Sequence, residues 1–478
     1  MLHLVRAWTF ALIALIAWSV FPHSARADVY IIESSAPDIP VGAQLKDDDK
    51  FNIPAGSYIR ALLPSGRTQT IRGPFNGKVS EIANTGPAKN EGVLSWMKTM
   101  LKTGGSSETT PGAARATRPK QLPGTCVTKD ECTPVTVFFG TNRNQQEAAN
   151  HISFGAERNK ELALGSAIVT VPKSHGRGQI ERPTYWSFAD LFGGLAEDPS
   201  KHFTIVKNGV TVFSSVDQFV EMVKLVGQGL RQYNDHAFVF VHGFNVTFEG
   251  GLYRSAQIAY DLGTVVDGTH VPFAVPFLFS WPSKGTAGGY ATDEDTARIS
   301  VQHLRSFLDM VVTTSGAKNV HVIAHSMGNQ IALRVLHAMA KEHPRVVFNQ
   351  VVLAAPDIDK DEFEQIATGV ARVAQGVTLY ASSNDTALAM SRGLRDGRAR
   401  AGEVGKTGPV IIKDIDSIDV SAVGTDFLSL NHGVYIEGKV LINDMGVLLR
   451  RGLRPPPERT PLFEQRGSGQ ALYWVYPR

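Results

Sequence analysis

The residues with the clearest chemical signature are Ala324-His325-Ser326-Met327-Gly328, which follow the apolar run "NVHVI" and precede the helical run "NQIALRVLHAMA". A serine between a strand and a helix, with small residues two positions before and after it, is typical of the strained elbow that presents a nucleophilic hydroxyl. Alanine replaces the usual first glycine of this motif. Because a serine alcohol needs a base to become a nucleophile, the sequence predicts acyl transfer through an acyl-enzyme at Ser326.

The acid and the base of a catalytic triad are expected after Ser326, on loops beyond later strands. Two acids fit this order, since Asp357 follows "QVVLAAP" and Asp385 follows "VTLYASSN". The later loop is the usual position, so we predict Asp385 as the triad acid and keep Asp357 as the alternative acid, or as a brace behind the site. His432 in "LNHGVY" is the only histidine after either acid, and we predict it as the general base.

An acyl-transfer site also needs N–H donors for the oxyanion of its tetrahedral intermediate. One predicted donor is the backbone N–H of Met327, which follows the nucleophile. The second is expected in the loop that begins with His242-Gly243, directly after the apolar run "HAFVFV". We predict Phe244 for this N–H, with Asn245 as the alternative.

Two further groups are expected near this site. We predict that His325 packs behind the elbow and does not act on substrate. The turn Trp281-Pro282-Ser283 follows the apolar run "FLFS" and is expected at the same edge of the sheet. It either shapes the acyl pocket or serves only packing.

Three aspartates are spaced like the first ligands of a calcium-binding loop. Asp357, Asp359 and Asp361 have the spacing that opens a calcium loop, but Glu362 occupies the position of the required glycine and Thr368 that of the required glutamate. We therefore predict no metal site and no cofactor.

The elements that must position these residues form a repeating pattern from residue 133 onward. Apolar runs of strand length alternate with segments of helical periodicity, which favours a mainly parallel sheet covered by helices on both faces. The predicted strands are "VTVFFGT", "SAIVTVP", "HAFVFVHG", "FLFSWP", "NVHVIAHS", "QVVLAAP", "VTLYASS" and "SIDVS". The predicted helices cover residues 215–231, with Ser215 and Gln218 as a capping box, and residues 248–262, 296–314 and 328–342.

The start of the chain predicts export. Residues 1–27 combine Arg6 in a short basic start, an apolar run over residues 8–21 and the small-x-small site Ala25-Arg26-Ala27. This order is typical of a cleaved secretory signal, and the run is shorter than the ~20 residues that a spanning helix needs. We predict a periplasmic or extracellular protein without an integral membrane segment after cleavage.

Composition divides the rest of the chain. Cys126 and Cys132 are predicted to form a local disulfide in an oxidising compartment, and they are too few for a zinc site. The tail "RPPPERTPLFEQRGSGQALYWVYPR" is rich in proline and is predicted to be irregular. The predicted parts are a signal peptide (1–27), a small β domain (28–89) with two strands about the turn "PSGR", a flexible linker (90–132), a catalytic domain (133–450) and a Pro-rich tail (451–478).

Residues 133–449 resemble the bacterial α/β hydrolases grouped as domain of unknown function 900. The strings that carry this resemblance are "VFFGTNRN", "VTVPKSHGRGQIERP", "VFVHGFN", "FSWPSKG", "YATDEDTA", "VIAHSMGN", "LAAPDID", "YASSNDTALAMSR" and "NHGVYIEGKVLINDM". The resemblance implies an α/β-hydrolase fold of the esterase and lipase type, with Ser326, Asp385 and His432 as its triad. Residues 28–77 resemble the FecR-like β domains of bacterial envelope proteins through "IPAG", a hairpin and a closing "GP".

Two classes of function fit these features. The first is an exported serine hydrolase acting on a small-molecule, lipid or glycan ester. The alternative is a non-catalytic envelope binding or scaffold protein, in which the β domain contacts an envelope partner. A formal net charge of only +3 gives no sign of a nucleic-acid partner.

Overall fold

The computed structural model describes thirteen segments of the chain. They are residues 29–39, 44–45, 49–62, 68–79, 131–147, 151–182, 197–284, 289–342, 345–393, 395–423, 438–467, 469 and 471–477. The predicted signal peptide, most of the predicted linker, Cys126 and His432 lie outside them. The chain divides into two compact units, residues 1–96 and 97–478.

The first unit is built from short antiparallel strands. These are β1 Val29–Ser34, β2 Gln44–Leu45, β3 Lys50–Ile53, β4 Tyr58–Leu62, β5 Thr68–Arg72 and β6 Phe75–Lys78. One sheet has the order β2-β1-β4-β5, and β3 pairs with β6. β4 and β5 are the two strands expected about the turn "PSGR", and Tyr58 lies opposite Arg72 in their antiparallel register. Alternate residues such as Ile53, Ile59 and Ala61 form a small buried core of their own.

The second unit holds the remaining strands. They are β7 Cys132–Glu147, β8 Ile152–Pro172, β9 Thr204–Val212, β10 His236–Val241, β11 Thr264–Val266, β12 Thr269–Val271, β13 Val275–Ser280, β14 Asn319–His325, β15 Phe348–Ala354, β16 Ala374–Ala381, β17 Ile415–Asp419, β18 Glu464–Arg466 and β19 Tyr473–Val475. Cys132 at the start of β7 is disulfide-bonded.

Seven described helices accompany these strands. They are α1 Val216–Gly229, α2 Phe248–Asp261, α3 Tyr290–Thr314, α4 Gly328–Glu342, α5 Lys360–Val370, α6 Thr386–Gly393 and α7 Gly438–Arg451. No helix in the described part of the chain is long and apolar enough to cross a membrane.

Eleven strands form one sheet in the order β18-β19-β17-β16-β15-β14-β10-β13-β7-β8-β9. The strands from β19 to β7 in this order run parallel to one another. At the two edges, β18 pairs antiparallel with β19, β8 with β7, and β9 with β8. Every residue of β13 and nearly every residue of β10 is buried, as expected when helices cover both faces of a parallel sheet. This confirms the predicted α/β-hydrolase fold. β14, which leads to Ser326, lies in the interior of the sheet.

The four predicted helices are present with one clear difference in their bounds, and α5, α6 and α7 are additional to them. α4 has the predicted bounds, and Ser215 caps α1 by accepting a hydrogen bond from Gln218 N. α3, however, begins at Tyr290, six residues before the predicted Thr296. The predicted helix leaves out the polar stretch "YATDED", but acidic residues favour the first turn of a helix, where they interact with its dipole.

The prediction of an irregular tail is wrong. β19 joins the sheet parallel to β17, with Trp474 opposite Ile418, and β18 pairs with β19. The buried Arg459 anchors the segment before them, since its Nε lies 2.9 Å from Asp444 Oδ1. The sequence signal is weak because each strand is three residues long and β19 joins the sheet through β17, which lies far away in the chain.

A buried histidine ties the loop after β8 to the end of α2. His175 Nδ1 lies 2.9 Å from Glu181 Oε2, and its Nε2 lies 3.0 Å from Asp261 Oδ1. Burial alone would lower the pKa of His175, but the hydrogen bonds and charges of Asp261 and Glu181 raise it to about 9. The imidazole is therefore a cation at neutral pH.

We expect this cation to make stability depend on alkaline pH. A raised histidine pKa contributes stability that is complete below the unfolded value of about 6.5 and is lost as pH rises through about 9, roughly 3 kcal/mol in total. Denaturant titrations of the wild type and His175→Gln should therefore differ most near pH 6 and converge above pH 9. His303→Gln, at a half-buried site on α3, is the control. A difference that is constant across pH would contradict the assignment.

Candidate active site

Ser326 occupies a strained turn between β14 and α4. Its φ is +49°, in the left-handed region that costs a non-glycine residue about 1–3 kcal/mol. Hydrogen bonds hold the turn in place. Ser326 N donates to Ala354 O, while Ser326 O accepts from the N–H groups of Asn329 and Asp357. Strain maintained in this way indicates a functional position.

Small residues allow the elbow to press against the chain that leaves β10. A Cβ added to Gly328 would lie 2.4 Å from His242 O and 2.5 Å from Val241 O. A Cβ added to Gly243 would lie 2.9 Å from Ser326 Cβ. Real Cβ atoms do not come this close, so both positions require glycine. The approach brings residues 242–247, the β10–α2 loop, beside the nucleophile.

The two predicted oxyanion donors are available in this arrangement. Among the described residues, neither Phe244 N–H nor Met327 N–H donates to an acceptor. The alternative donor Asn245 N–H is already used, because it donates to Ser283 Oγ at 2.8 Å. The geometry therefore favours Phe244 over Asn245, and the role of either group stays a prediction.

His242 orients the peptide that carries Phe244 N–H. Burial, then the charge of Arg143, lowers the pKa of His242 well below its usual value, so the ring is neutral. Its Nδ1 lies 2.8 Å from Gly243 O and must donate, since a carbonyl only accepts. In a trans peptide, N–H and C=O point in opposite directions. Fixing Gly243 O therefore fixes the direction of Phe244 N–H.

Arg143 was not singled out by the sequence, although it holds the same loop. It is 1% exposed and donates through Nη2 to Val246 O at 2.7 Å and through Nη1 to Ser283 O at 3.0 Å. Burial lowers its pKa to about 10, so it remains a cation at neutral pH. The only available signal was the polar "TNRN" that continues the apolar strand β7.

Trp281 supports the loop from behind. It is fully buried, its ring stacks on His242 at 5.2 Å between centroids, and its Nε1 donates to His242 O at 2.8 Å. These contacts correspond to the packing alternative and not to a wall of an acyl pocket.

Asp357 is committed to a buried network. Its carboxylate accepts hydrogen bonds from Ser391 Oγ at 2.6 Å, Arg400 Nε at 2.8 Å and the hydroxyl of Tyr290. Both Asp357 and Arg400 are 2% exposed. This environment fits the bracing role better than that of a triad acid, because both oxygens are engaged by structural partners.

Asp385 lies in the loop after β16, two strands from β14. Its Oδ1 accepts a hydrogen bond from Leu388 N at 3.0 Å, which caps the start of α6. The side chain is half-buried, unlike that of Asp357. His432, the predicted base, lies outside the described residues, so the Asp385–His432 pair stays a prediction.

His325 is not suited to proton transfer. Desolvation, with a smaller contribution from the charge of Arg254, lowers its pKa to about 3. Its Nδ1 would lie 3.1 Å from a Cβ placed on Gly243, so the ring packs against the β10–α2 loop. A base for Ser326 must be another residue.

The fold and the elbow define the second unit as an α/β hydrolase. Residues 221–451 match the model of a family described as alpha/beta hydrolase of unknown function, DUF900. No curated protein has a matching sequence.

Similar solved structures include a cell surface protein and two esterases. A cell surface protein of Lactobacillus plantarum WCFS1 assigned as a hydrolase has 14% identity and a TM-score of 0.29, covering 47% of this chain and 96% of that chain. An esterase of Rhizomucor miehei has 10% identity and a TM-score of 0.29, covering 69% of this chain and 84% of that chain. The Pyrobaculum calidifontis esterase has 11% identity and a TM-score of 0.23, covering 49% of this chain and 93% of that chain.

Mutagenesis should show which of the two candidate acids, Asp357 or Asp385, belongs to the triad. Asp357→Asn leaves Arg400 buried without its counter-charge, so we expect a loss of about 3–5 kcal/mol of stability. Asp385→Asn should instead leave the thermal midpoint nearly unchanged and lower kcat by roughly 10⁴-fold, because an amide favours the wrong histidine tautomer. Thermal unfolding and ester kinetics of both variants test this. A stable Asp357→Asn protein with no turnover would make Asp357 the triad acid.

Proposed function

We propose that the protein is an exported serine hydrolase that cleaves carboxylic esters through an acyl-enzyme. The observation that supports this most strongly is the left-handed Ser326 between β14 and α4. A strained serine at the carboxyl end of a central strand, beside N–H groups that have no other acceptor among the described residues, suits nucleophilic attack on a carbonyl. The family and the fold support a hydrolase in general.

In the proposed mechanism, Ser326 Oγ attacks the acyl carbon while His432 accepts its proton. Phe244 N–H and Met327 N–H bind the oxyanion of the tetrahedral intermediate. His432 then gives the proton to the leaving alcohol, which departs and leaves an acyl group on Ser326. A water molecule, deprotonated by His432, attacks this ester and releases the carboxylic acid. Asp385 orients His432 and stabilises its cationic form.

The proposed substrate class is an ester of a small molecule, a lipid or an envelope glycan. Export would bring the protein into contact with such esters outside the cytoplasm. Nucleic acid is not a proposed partner, since the chain carries little net charge. The first unit is a candidate contact for an envelope partner.

A fluorophosphonate probe tests the proposal directly, because it phosphonylates only an activated serine. We expect purified wild-type protein to be labelled and to hydrolyse p-nitrophenyl butyrate, and Ser326→Ala to do neither. Ser417→Ala is the control, since Ser417 is a buried serine on β17 whose hydroxyl donates to Val410 O. Folded wild-type protein without labelling or turnover would favour the non-catalytic alternative.

A further inference from the structure

The β10–α2 loop contains a second strained residue that needs support. Asn245 has a φ of +58°, directly after the predicted oxyanion donor Phe244. Asparagine tolerates this region better than most residues, but it still prefers other conformations. Local contacts must therefore hold Asn245 in place, and with it the path of the chain through Phe244.

A directed chain of hydrogen bonds supplies this support. Asn245 N donates to Ser283 Oγ at 2.8 Å, and Ser283 Oγ donates to Asp293 Oδ2 at 2.6 Å. Ser283 is 1% exposed and Asp293 is not exposed. A hydroxyl has one proton, and an ionised carboxylate only accepts. The carboxylate of Asp293 therefore keeps the lone pairs of Ser283 turned toward Asn245.

Asp293 is itself fixed by its position in the first turn of α3. Its carboxylate accepts from Lys284 N at 3.0 Å in addition to Ser283 Oγ. Burial raises the pKa of Asp293 to about 6, so the group remains ionised at neutral pH. Tyr290, the first residue of α3, also contacts the loop, with the centroid of its ring 5.2 Å from that of Phe244.

We propose that Ser283 and Asp293 are positioning residues for the oxyanion hole, which hold Asn245 so that Phe244 N–H faces the carbonyl attacked by Ser326. This inference rests on the proposed serine hydrolase function. Neither residue contacts the reacting atoms, and each acts through the backbone of the loop. The hydrogen bonds of Ser283 and Asp293 complement that of Arg143, which donates to the carbonyl of Val246, the residue after Asn245.

The expected kinetic effect is specific to the transition state. Loss of a direct oxyanion donor costs about 10²–10³-fold in kcat, and misplacing one should cost somewhat less, roughly 10–100-fold. Ser283→Ala should therefore lower kcat for p-nitrophenyl butyrate by this factor and leave KM within about twofold. Because Ser283 and Asp293 form one chain, Asp293→Asn should act in the same direction, and the double variant should lose little more than Ser283→Ala alone.

The decisive readout is inhibition by a trifluoromethyl ketone, which forms a tetrahedral adduct with an oxyanion. Its Ki should rise by the same factor by which kcat/KM falls in Ser283→Ala. A purely structural loss would change the amount of folded protein without this correlation. Ser417→Ala removes a comparable buried hydroxyl on β17 and should leave both quantities unchanged. If Ser283→Ala does not fold, Asp293→Asn replaces it in the same comparison.

The outcomes separate this inference from the proposed function. Wild-type protein that is not labelled by the fluorophosphonate probe would contradict the serine hydrolase itself. Wild-type turnover with a Ser283→Ala variant that behaves like Ser417→Ala would overturn the positioning role and leave the hydrolase intact. A rise in KM with an unchanged Ki for the ketone would also overturn it.

Discussion

The structure depends on the close approach of the elbow to the chain leaving β10. Gly328 faces the carbonyls of Val241 and His242, and Gly243 faces Ser326, at distances where no side chain fits. Since β10 and β14 are neighbouring parallel strands, their carboxyl ends meet at one edge of the sheet. The helix after β14 and the loop after β10 must then share the same small space. That crowding places a strained serine beside backbone N–H groups.

Buried charges surround this edge and fix the loops that cross it. Arg143 binds the β10–α2 loop through its carbonyls, Asp293 binds the loop through Ser283, and Asp357 pairs with Arg400 behind the elbow. Buried charges contribute little net stability, because desolvation offsets most of the electrostatic attraction. Their benefit is geometric, since each directed hydrogen bond excludes other loop conformations. Such rigidity would suit the proposed oxyanion hole, because a small displacement of a hydrogen-bond donor lowers the reaction rate.

The sequence predicts the parts of this arrangement that depend on local pattern. The strand before Ser326, α4 and the strands β10 and β13–β17 follow from apolar runs and helical periodicity. Arg143 was missed because its acceptor, Val246, lies 103 residues away. The sequence alone does not show whether an arginine is buried or exposed to solvent. The predicted helix begins at Thr296 and so leaves out Asp293, which lies in the first turn of α3. The sequence left Asp357 and Asp385 as alternatives, and only the buried partners of Asp357 distinguish their surroundings.

The most direct test of the central claim is to trap the acyl-enzyme. Wild-type protein mixed with p-nitrophenyl butyrate and quenched in acid within the first turnover should gain the mass of one butyryl group. Peptide mapping should find this group on Ser326, with a burst of p-nitrophenolate equal to the concentration of active protein. Steady turnover without an acylated peptide, or acylation at another residue, would contradict the assignment of Ser326 as the nucleophile.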